Sequence, residues 1–360
     1  MKIKDIGNVV TGKTPQTAHA EFYGGDYMFI TPTELHGGYK ISSSEKTLTE
    51  AGLESIKTNS IDGISVLVGC IGWDMGNVAM CFEKCATNQQ INSITQISED
   101  YSPYFLYYWL STKKEYLFSI SSVTRTPILS KGVFEEIEVP SISRSEQDKI
   151  AKVLLVLDKK IKLNSEVNDN LAQQAQLLFD FMFQDISGSK HIGDFIVPQR
   201  GTALLSKDAI PGDIPVVAGG LVPSTYHNAA NTVAPVITIS SSGANAGFVN
   251  LWGVPVWSSD SSFIDFKMTP YVYFWHALLK RHQNNIYKIQ TGSAQPHIYP
   301  SHIASLPVCD LDFGKVADYT ERVTPLFTLI SKNYKESNQL RALRDWLLPM
   351  LMNGQATISD

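Results

Sequence analysis

Across residues 143–183 the apolar positions fall on two stripes with a seven-residue repeat. One stripe holds Ile150, Leu157, Leu171 and Leu178; the other holds Leu154, Ile161, Ala175 and Met182. Two such stripes four residues apart make the seam of a coiled-coil helix. The seam is broken by two polar residues, Asn164 on the first stripe and Asn168 on the second. The pattern returns later in the chain. Tyr319, Leu326, Asn333, Leu340 and Leu347 form one stripe, and Val323, Ile330, Ser337, Arg344 and Leu351 the other, again polar at mid-length. A buried Asn costs stability but fixes register and partner, so the two helices are expected to pair, with Asn164 and Asn168 near Asn333 and Ser337. The competing reading lays each helix separately on its own domain as an amphipathic surface helix. Ser143 and Glu146 stand at capping-box spacing at the start of the first helix. In the second, Pro325 predicts either a kink or a new helix capped by Thr324.

The remaining chain lies before the first helix and between the two, and it repeats once. Residues 2–13, KIKDIGNVVTGK, align with residues 191–202, HIGDFIVPQRGT, through Ile3 and Ile192, Asp5 and Asp194, Gly12 and Gly201. SVLVGCIGWDMGNVAMCF (65–82) resembles PVITISSSGANAGFVNLW (235–252): a β-rich strand, a loop of small residues, another strand. Ser102 with Pro103, and Thr269 with Pro270, each open an aromatic helix with a capping residue and a first-position proline. Polar loops follow at 123–130 and 292–300, matching Pro127 with Pro296, and then short strands ending at Pro140 and Pro307. The β-branched segments 27–31, 64–68, 236–239 and 263–266 do not alternate regularly with helices, which predicts α+β rather than a doubly wound sheet. The order is domain, helix, domain, helix.

Composition narrows the class. The chain has 360 residues, 43% hydrophobic and 18% charged, with a net charge of −5, enough for two domains with cores of their own. That charge argues against a protein that coats nucleic acid unaided, though not against a reader of specific sequence with local phosphate contacts. The first residues lack the apolar core of a signal peptide and no run reaches membrane-span length, so a cytoplasmic protein without membrane contact is expected. Cys70, Cys81, Cys85 and Cys309 lack downstream partners at ligand spacing, which predicts buried thiols and no metal. Gly7, Gly12, Lys13 and Thr14 match the phosphate-binding loop pattern. Yet too little chain precedes Gly7 for a buried strand, Pro15 and the polar run after it carry no helical stripe, and Thr202 replaces Lys13 in the second copy. No His and Cys, Ser-His-Asp or Asn/Asp-Pro-Pro-aromatic constellation stands out, so no enzyme and no cofactor are expected.

Several runs resemble a known family. Pro140, Glu146, Gln147, Ile150, Ala151, Leu157, Asp158 and Ile161, continued by Asn170, Leu171 and Phe179, resemble the central helix of type I restriction–modification specificity subunits. The closing run from Leu340 through Arg341, Arg344, Asp345, Trp346 and Pro349 to Gly354 resembles their C-terminal helix. Gly12 to Pro15, Phe29 to Pro32 and Gly292 to His297 resemble motifs of their target recognition domains. The first unit departs in carrying Arg125, Thr126 and Pro127 where the second has Ala294, Gln295 and Pro296. The resemblance implies an α+β protein of two pseudo-repeated target recognition domains, 1–142 and 185–312, separated by long helices, 143–184 and 313–360, that pair as an antiparallel coiled coil. It implies a non-catalytic subunit. Each domain would read half of a bipartite, asymmetric DNA target, and the helices would set the half-site spacing and dock methyltransferase subunits, with restriction and translocase subunits joining through the complex. The geometry read from the residues agrees, since a helix of about forty residues is roughly 60 Å long and suits half-sites about one turn of duplex apart.

Base readout needs side chains with forked or adaptable donors and acceptors. The candidates in the first unit are Lys13, Thr14, Gln16, Asn77, Gln89, Gln90 and Arg125. In the second they are Arg200, Thr202, Ser241, Asn245, Ser259, Gln295 and His297, with Lys280 and Arg281 as phosphate contacts. For each, a satisfied turn or solvated surface is the competing reading; Trp73 reads either as a base-stacking residue or as a packing lid. The helix-pairing set is Ile150, Leu154, Leu157, Ile161, Asn164, Asn168, Leu171, Leu326, Ile330, Asn333, Ser337, Leu340 and Leu347. Two other readings compete with DNA recognition: a coiled-coil scaffold, which leaves the polar loops of both units unexplained, and a phosphate-loop enzyme.

Overall fold

The two heptad patterns become the helices Arg144–Met182 and Phe313–Met352 of an α+β chain. The computed structural model describes residues 1–123, 125–184, 188–292 and 295–358. These divide into one unit of Met1–Ile161 with Gln339–Asp360 and another of Lys162–Asn338. Thr124, Ser293 and Ala294, within the two polar loops of the sequence repeat, lie outside the described residues. Among the described residues no helix is long and apolar enough to cross a membrane.

In the first unit the sheet order is Asn8–Thr11, Ile91–Thr95, Ser65–Gly69, Val78–Cys81, all antiparallel. Every residue of Ser65–Gly69 is buried. Val66 and Val68 enter a core with Phe105, Tyr108 and Trp109 of the helix Pro103–Ser111, while Leu67 enters another with Ile30 and Cys85. Burial on both faces explains why this strand reads as an unbroken apolar run rather than an alternation. The second layer is the sheet Lys46–Leu48, Tyr23–Ile30, Cys85–Thr87, Ser60–Ile61. The segment expected at 27–31 is therefore the end of a longer strand.

The second unit has a sheet ordered Gln199–Arg200, Ser261–Asp265, Val236–Ser240, Val249–Trp252, and a smaller one ordered Thr225–His227, Ile214–Val217, Trp257–Ser258. Its aromatic helix starts at Val272 with Tyr271 as capping residue, not at Pro270. The Thr269 hydroxyl instead accepts the Tyr271 N–H at 3.2 Å, forming a turn that delays the helix. Pro307 begins a strand, Pro307–Val308, paired with Lys190–His191, rather than ending one.

The seam positions of both helices are buried or half-buried. In the first unit Ile150, Ala151 and Leu154 share a core with Leu351 and Met352; in the second, Ala175 and Phe179 share one with Tyr319 and Val323. The polar positions meet. Asn164, 3% exposed, donates to Ser337 Oγ at 3.2 Å and to Glu336 Oε2 at 2.8 Å, and Asn333 donates to Asn168 Oδ1 at 2.9 Å. Asn164→Ala should cost about 1–3 kcal/mol by stranding these buried groups, read as a lower urea midpoint. An unmoved midpoint would show that the layer contributes nothing.

Of the two readings of Pro325, the structure excludes the new helix start. The helix Phe313–Met352 runs through Pro325 without a new start. Thr324 and Thr328 hydroxyls donate to the carbonyls of Thr320 and Thr324 at 2.6 and 2.8 Å, so Thr324 is an interior residue rather than a cap. A proline interior to a helix costs about 3 kcal/mol, and the buried seam on either side offsets it. The phosphate-loop match also fails: Asn8–Thr11 is a paired strand where that loop would have to curl, and no helix starts at Lys13. Cys70, Cys81 and Cys85 are buried thiols and Cys309 is half-buried; burial pushes the Cys70 thiol up to about 12.

Candidate nucleic-acid interface

One end of the first unit's main sheet opens into residues 12–16, 70–77 and 88–90. Backbone hydrogen bonds knit them together: Gly12 N to Ile91 O at 3.1 Å, Cys70 N to Gln90 O at 2.7 Å, Gly76 N to Gly69 O at 2.8 Å. The ribbon of Ser122–Val123 and Pro127–Ile128 joins this end, with Gly72 N donating to Pro127 O at 3.0 Å and Leu129 N to Cys70 O at 2.8 Å. Gly12 is required by close approach, because a Cβ there would lie 2.1 Å from Asn88 O.

The second unit repeats this set of bonds. Gly201 N donates to Ser261 O at 2.8 Å, Ser241 N to Asp260 O at 3.1 Å and Gly247 N to Ser240 O at 2.7 Å. Gly243 N donates to Pro296 O at 3.1 Å and Ile298 N to Ser241 O at 2.9 Å. Gly201 is crowded as Gly12 is, its Cβ falling 2.4 Å from Ser258 O. Residues holding the same hydrogen-bonding position carry different side chains. Thr11 corresponds to Arg200, Lys13 to Thr202, Gln89 to Ser259, and Gln90 to Asp260.

Most first-unit candidates gather at the loop end. Lys13, Gln16, Gln89 and Arg125 are exposed, and Thr14, Asn77 and Gln90 half-buried. Thr14 donates to Gln89 Oε1 at 2.9 Å, and Gln90 Oε1 accepts from Asn88 at 2.9 Å. Asn77 is engaged on both ends of its amide, donating to Asp74 Oδ2 at 3.0 Å and accepting from Lys114 at 2.9 Å. Those two donors, Lys114 first, hold the Asp74 carboxyl below its ordinary value.

In the second unit Arg200, Thr202 and Gln295 are exposed, and Asn245 and His297 half-buried. Arg200 Nη2 donates to Asp260 Oδ1 at 2.6 Å, and the other Asp260 oxygen accepts from Ser242. The guanidinium is thus aimed by a carboxylate. Asp260 is not among the candidates read from the sequence; the serine-flanked acid in Ser258, Ser259, Asp260, Ser261 was the available signal.

Two second-unit candidates, Ser241 and Ser259, are buried, Lys280 is half-buried, and Arg281 is exposed. Ser241 is 2% exposed, its hydroxyl without a partner among the described residues, and Ser259 is 6% exposed, its hydroxyl accepting from Leu204 N at 2.9 Å. Lys280 donates to Val249 O at 3.3 Å across the Phe248 ring, and burial lowers its pKa. Arg281 binds the carbonyls of Phe183 and Gln184 at 2.7 and 2.9 Å, so it satisfies backbone just past the end of Arg144–Met182. Both cations near the end of Val272–Arg281 donate to backbone carbonyls in this structure. Among the described residues no cluster of His, Cys, Asp and Glu is placed to hold a metal ion.

The loop ends of the two units thus share a set of backbone hydrogen bonds and differ in their side chains. Residues 1–173 match the family model of the type I restriction modification DNA specificity domain. The chain is 26% identical to the type I restriction enzyme MjaIX specificity subunit of Methanocaldococcus jannaschii, over 100% of this chain and 93% of that protein. It is 33% identical to the HindI specificity subunit of Haemophilus influenzae, over 49% of this chain but 39% of that protein. Its fold is similar to the crystal structure of a type I restriction–modification S subunit from M. genitalium, with a TM-score of 0.62 and 19% identity over 98% of this chain and 95% of that one. The first 173 residues thus match a specificity domain, and the chain over its whole length is similar to type I restriction–modification specificity subunits.

Proposed function

We propose that each unit reads one half of a bipartite, asymmetric DNA target through its loop end. The chain is then composed of target recognition domains at 1–142 and 185–312 and helical spacers at 143–184 and 313–360. The long helices pair as an antiparallel coiled coil, set the half-site spacing and dock methyltransferase subunits, with restriction and translocase subunits joining through that complex. The chain itself is non-catalytic, takes no cofactor and works in the cytoplasm. The observation that carries this reading is the recurrence of one loop scaffold, bond for bond, with different side chains at matched positions. A duplicated reader of two different half-sites needs that combination.

Alone, a chain of net charge −5 should bind DNA weakly, since it offers phosphate little sequence-independent attraction. With methyltransferase subunits it should direct methylation to a two-part motif whose parts differ, mapped by long-read sequencing of a host carrying the system. Arg125→Ala should relax one half and Gln295→Ala the other, because a good base-edge pair is worth about 1–3 kcal/mol of discrimination. Changes at Leu157 or Leu340 should abolish assembly without selecting a half. A single palindromic motif, or no methylation linked to this chain, would overturn the reading.

A further inference from the structure

Trp73 stands on the loop 70–77 of the first unit and is 70% exposed. The loop beneath it is fixed on both sides. Gly72 and Gly76 take φ of 104° and 91°, the left-handed region that favours glycine. Gly72 N is bound to Pro127 O, and Asp74, next along from Trp73, receives Lys114 Nζ at 2.6 Å and Asn77 Nδ2 at 3.0 Å, with His36 Nε2 3.2 Å away. Among the described residues the one aromatic ring beside the indole is Phe118, centroids 6.1 Å apart and tilted by 39°. An indole so exposed closes no core, so it is not a packing lid.

The second unit builds the same loop without it. Gly243 and Gly247 take φ of 82° and 83°, Gly243 N binds Pro296 O and Ala246 N binds Gly243 O, as Met75 N binds Gly72 O. The residue after the first glycine there is Ala244, also exposed. The loop's fold therefore does not require a large aromatic side chain, and the first unit holds one in water on a rigid support. The ribbon bound to this loop carries the exposed Arg125. An exposed indole and a guanidinium carried on two hydrogen-bonded loops are groups that take nucleobases, by stacking and by cation attraction.

We propose that Trp73 is a stacking wedge that lies against bases of the first half-site, and that the second unit reads its half-site without one. This rests on the DNA-reading assignment above and deepens it. The first half-site is then recognised partly by how easily one of its base steps unstacks, and the second by base edges.

The test uses the full chain assembled with its methyltransferase subunits and a duplex carrying both half-sites, with 2-aminopurine moved in turn through the first. Wild type and Trp73→Phe should raise fluorescence at one or two adjacent positions, and Trp73→Ala should not. Affinity of the Trp73→Ala complex for that duplex should fall about ten- to hundredfold, the range set by stacking of one base on an aromatic ring. Its methylation motif should keep the second half unchanged. Unaltered fluorescence in Trp73→Ala with affinity within twofold of wild type would overturn the proposal. So would loss of subunit assembly on size exclusion, which would make the indole a protein contact. A wild-type complex that prefers no duplex over random sequence would instead overturn the DNA-reading assignment itself.

Discussion

Gln147→Ala should cost about 3–5 kcal/mol, the sum expected when several buried hydrogen-bonding groups lose one shared partner. Gln147 is fully buried. Its Oε1 accepts the Ser102 N–H at 2.8 Å, and its Nε2 donates to the carbonyls of Asp100 at 3.1 Å and Ile142 at 3.0 Å. Ser102 caps the helix Pro103–Ser111 without any side-chain hydrogen bond of its own. The amide of Gln147 thus ties the start of that helix to the chain entering Arg144–Met182. Urea unfolding of Gln147→Met separates hydrogen bonding from volume, because the thioether fills the same space and makes none of the three bonds. Gln147→Glu should be as damaging, since a carboxylate cannot donate to two carbonyls. A Gln147→Met chain within about 1 kcal/mol of wild type would show that packing, not the amide, matters here.

Gln147 also marks how far the sequence could be read. It stood out through a family resemblance; it lies seven residues before Leu154 on the second stripe, and heptad spacing places it there without saying what it bonds. The long helices were legible because a seven-residue stripe survives any detail of packing. The meeting of Asn164 with Ser337, and of Asn168 with Asn333, was legible because both stripes break to polar residues at mid-length, and buried polar groups seek each other. Strand cores such as Ser65–Gly69 were visible as apolar runs. Their partners were not, since pairing is set by loops whose hydrogen bonds are backbone to backbone and leave no residue signature.

The loop end was partly legible for the same reason. Gly12 and Gly201 aligned, and each proves to be a place where backbone passes too close for any side chain. Arg125 and Gln295, in the two polar loops aligned by Pro127 and Pro296, are both exposed. The surroundings of Ser241, Ser259, Lys280 and Arg281 were not legible, because residue type predicts what a side chain can bond, not which backbone group lies nearest. A lysine near the end of a helix meets carbonyls as readily as phosphate, and Lys280 finds that of Val249. The new helix start considered at Thr324 rested on local propensity, which a long packed helix overrides.

The largest electrostatic effect is expected at Asp158, on the first long helix, where Arg344 of the second donates to Oδ1 at 2.7 Å and the Tyr108 hydroxyl to Oδ2 at 2.6 Å. The Asp158 side chain is 9% exposed and that of Arg344 28%. Burial first, and then the adjacent carboxylate, push the Tyr108 phenol far above its ordinary value, so it remains a donor at any working pH. Arg344 occupies a seam position that heptad counting assigned to an apolar residue, and the pair explains why a cation is tolerated there. Arg344→Ala should cost about 3 kcal/mol because it strands a buried carboxylate, and Asp158→Ala about as much because it strands a guanidinium and a phenol together. The double substitution should cost far less than the two combined, since neither charge is then left alone. Exposed pairs such as Lys57 with Glu54, side chains 72% and 58% exposed, set the comparison: their loss should cost no more than about 1 kcal/mol and vanish in salt. Denaturation at low and high ionic strength reads both. Additive losses at Asp158 and Arg344, or losses that disappear in 1 M salt (a Debye length of about 3 Å), would show the pair to be a surface contact rather than a lock between the helices.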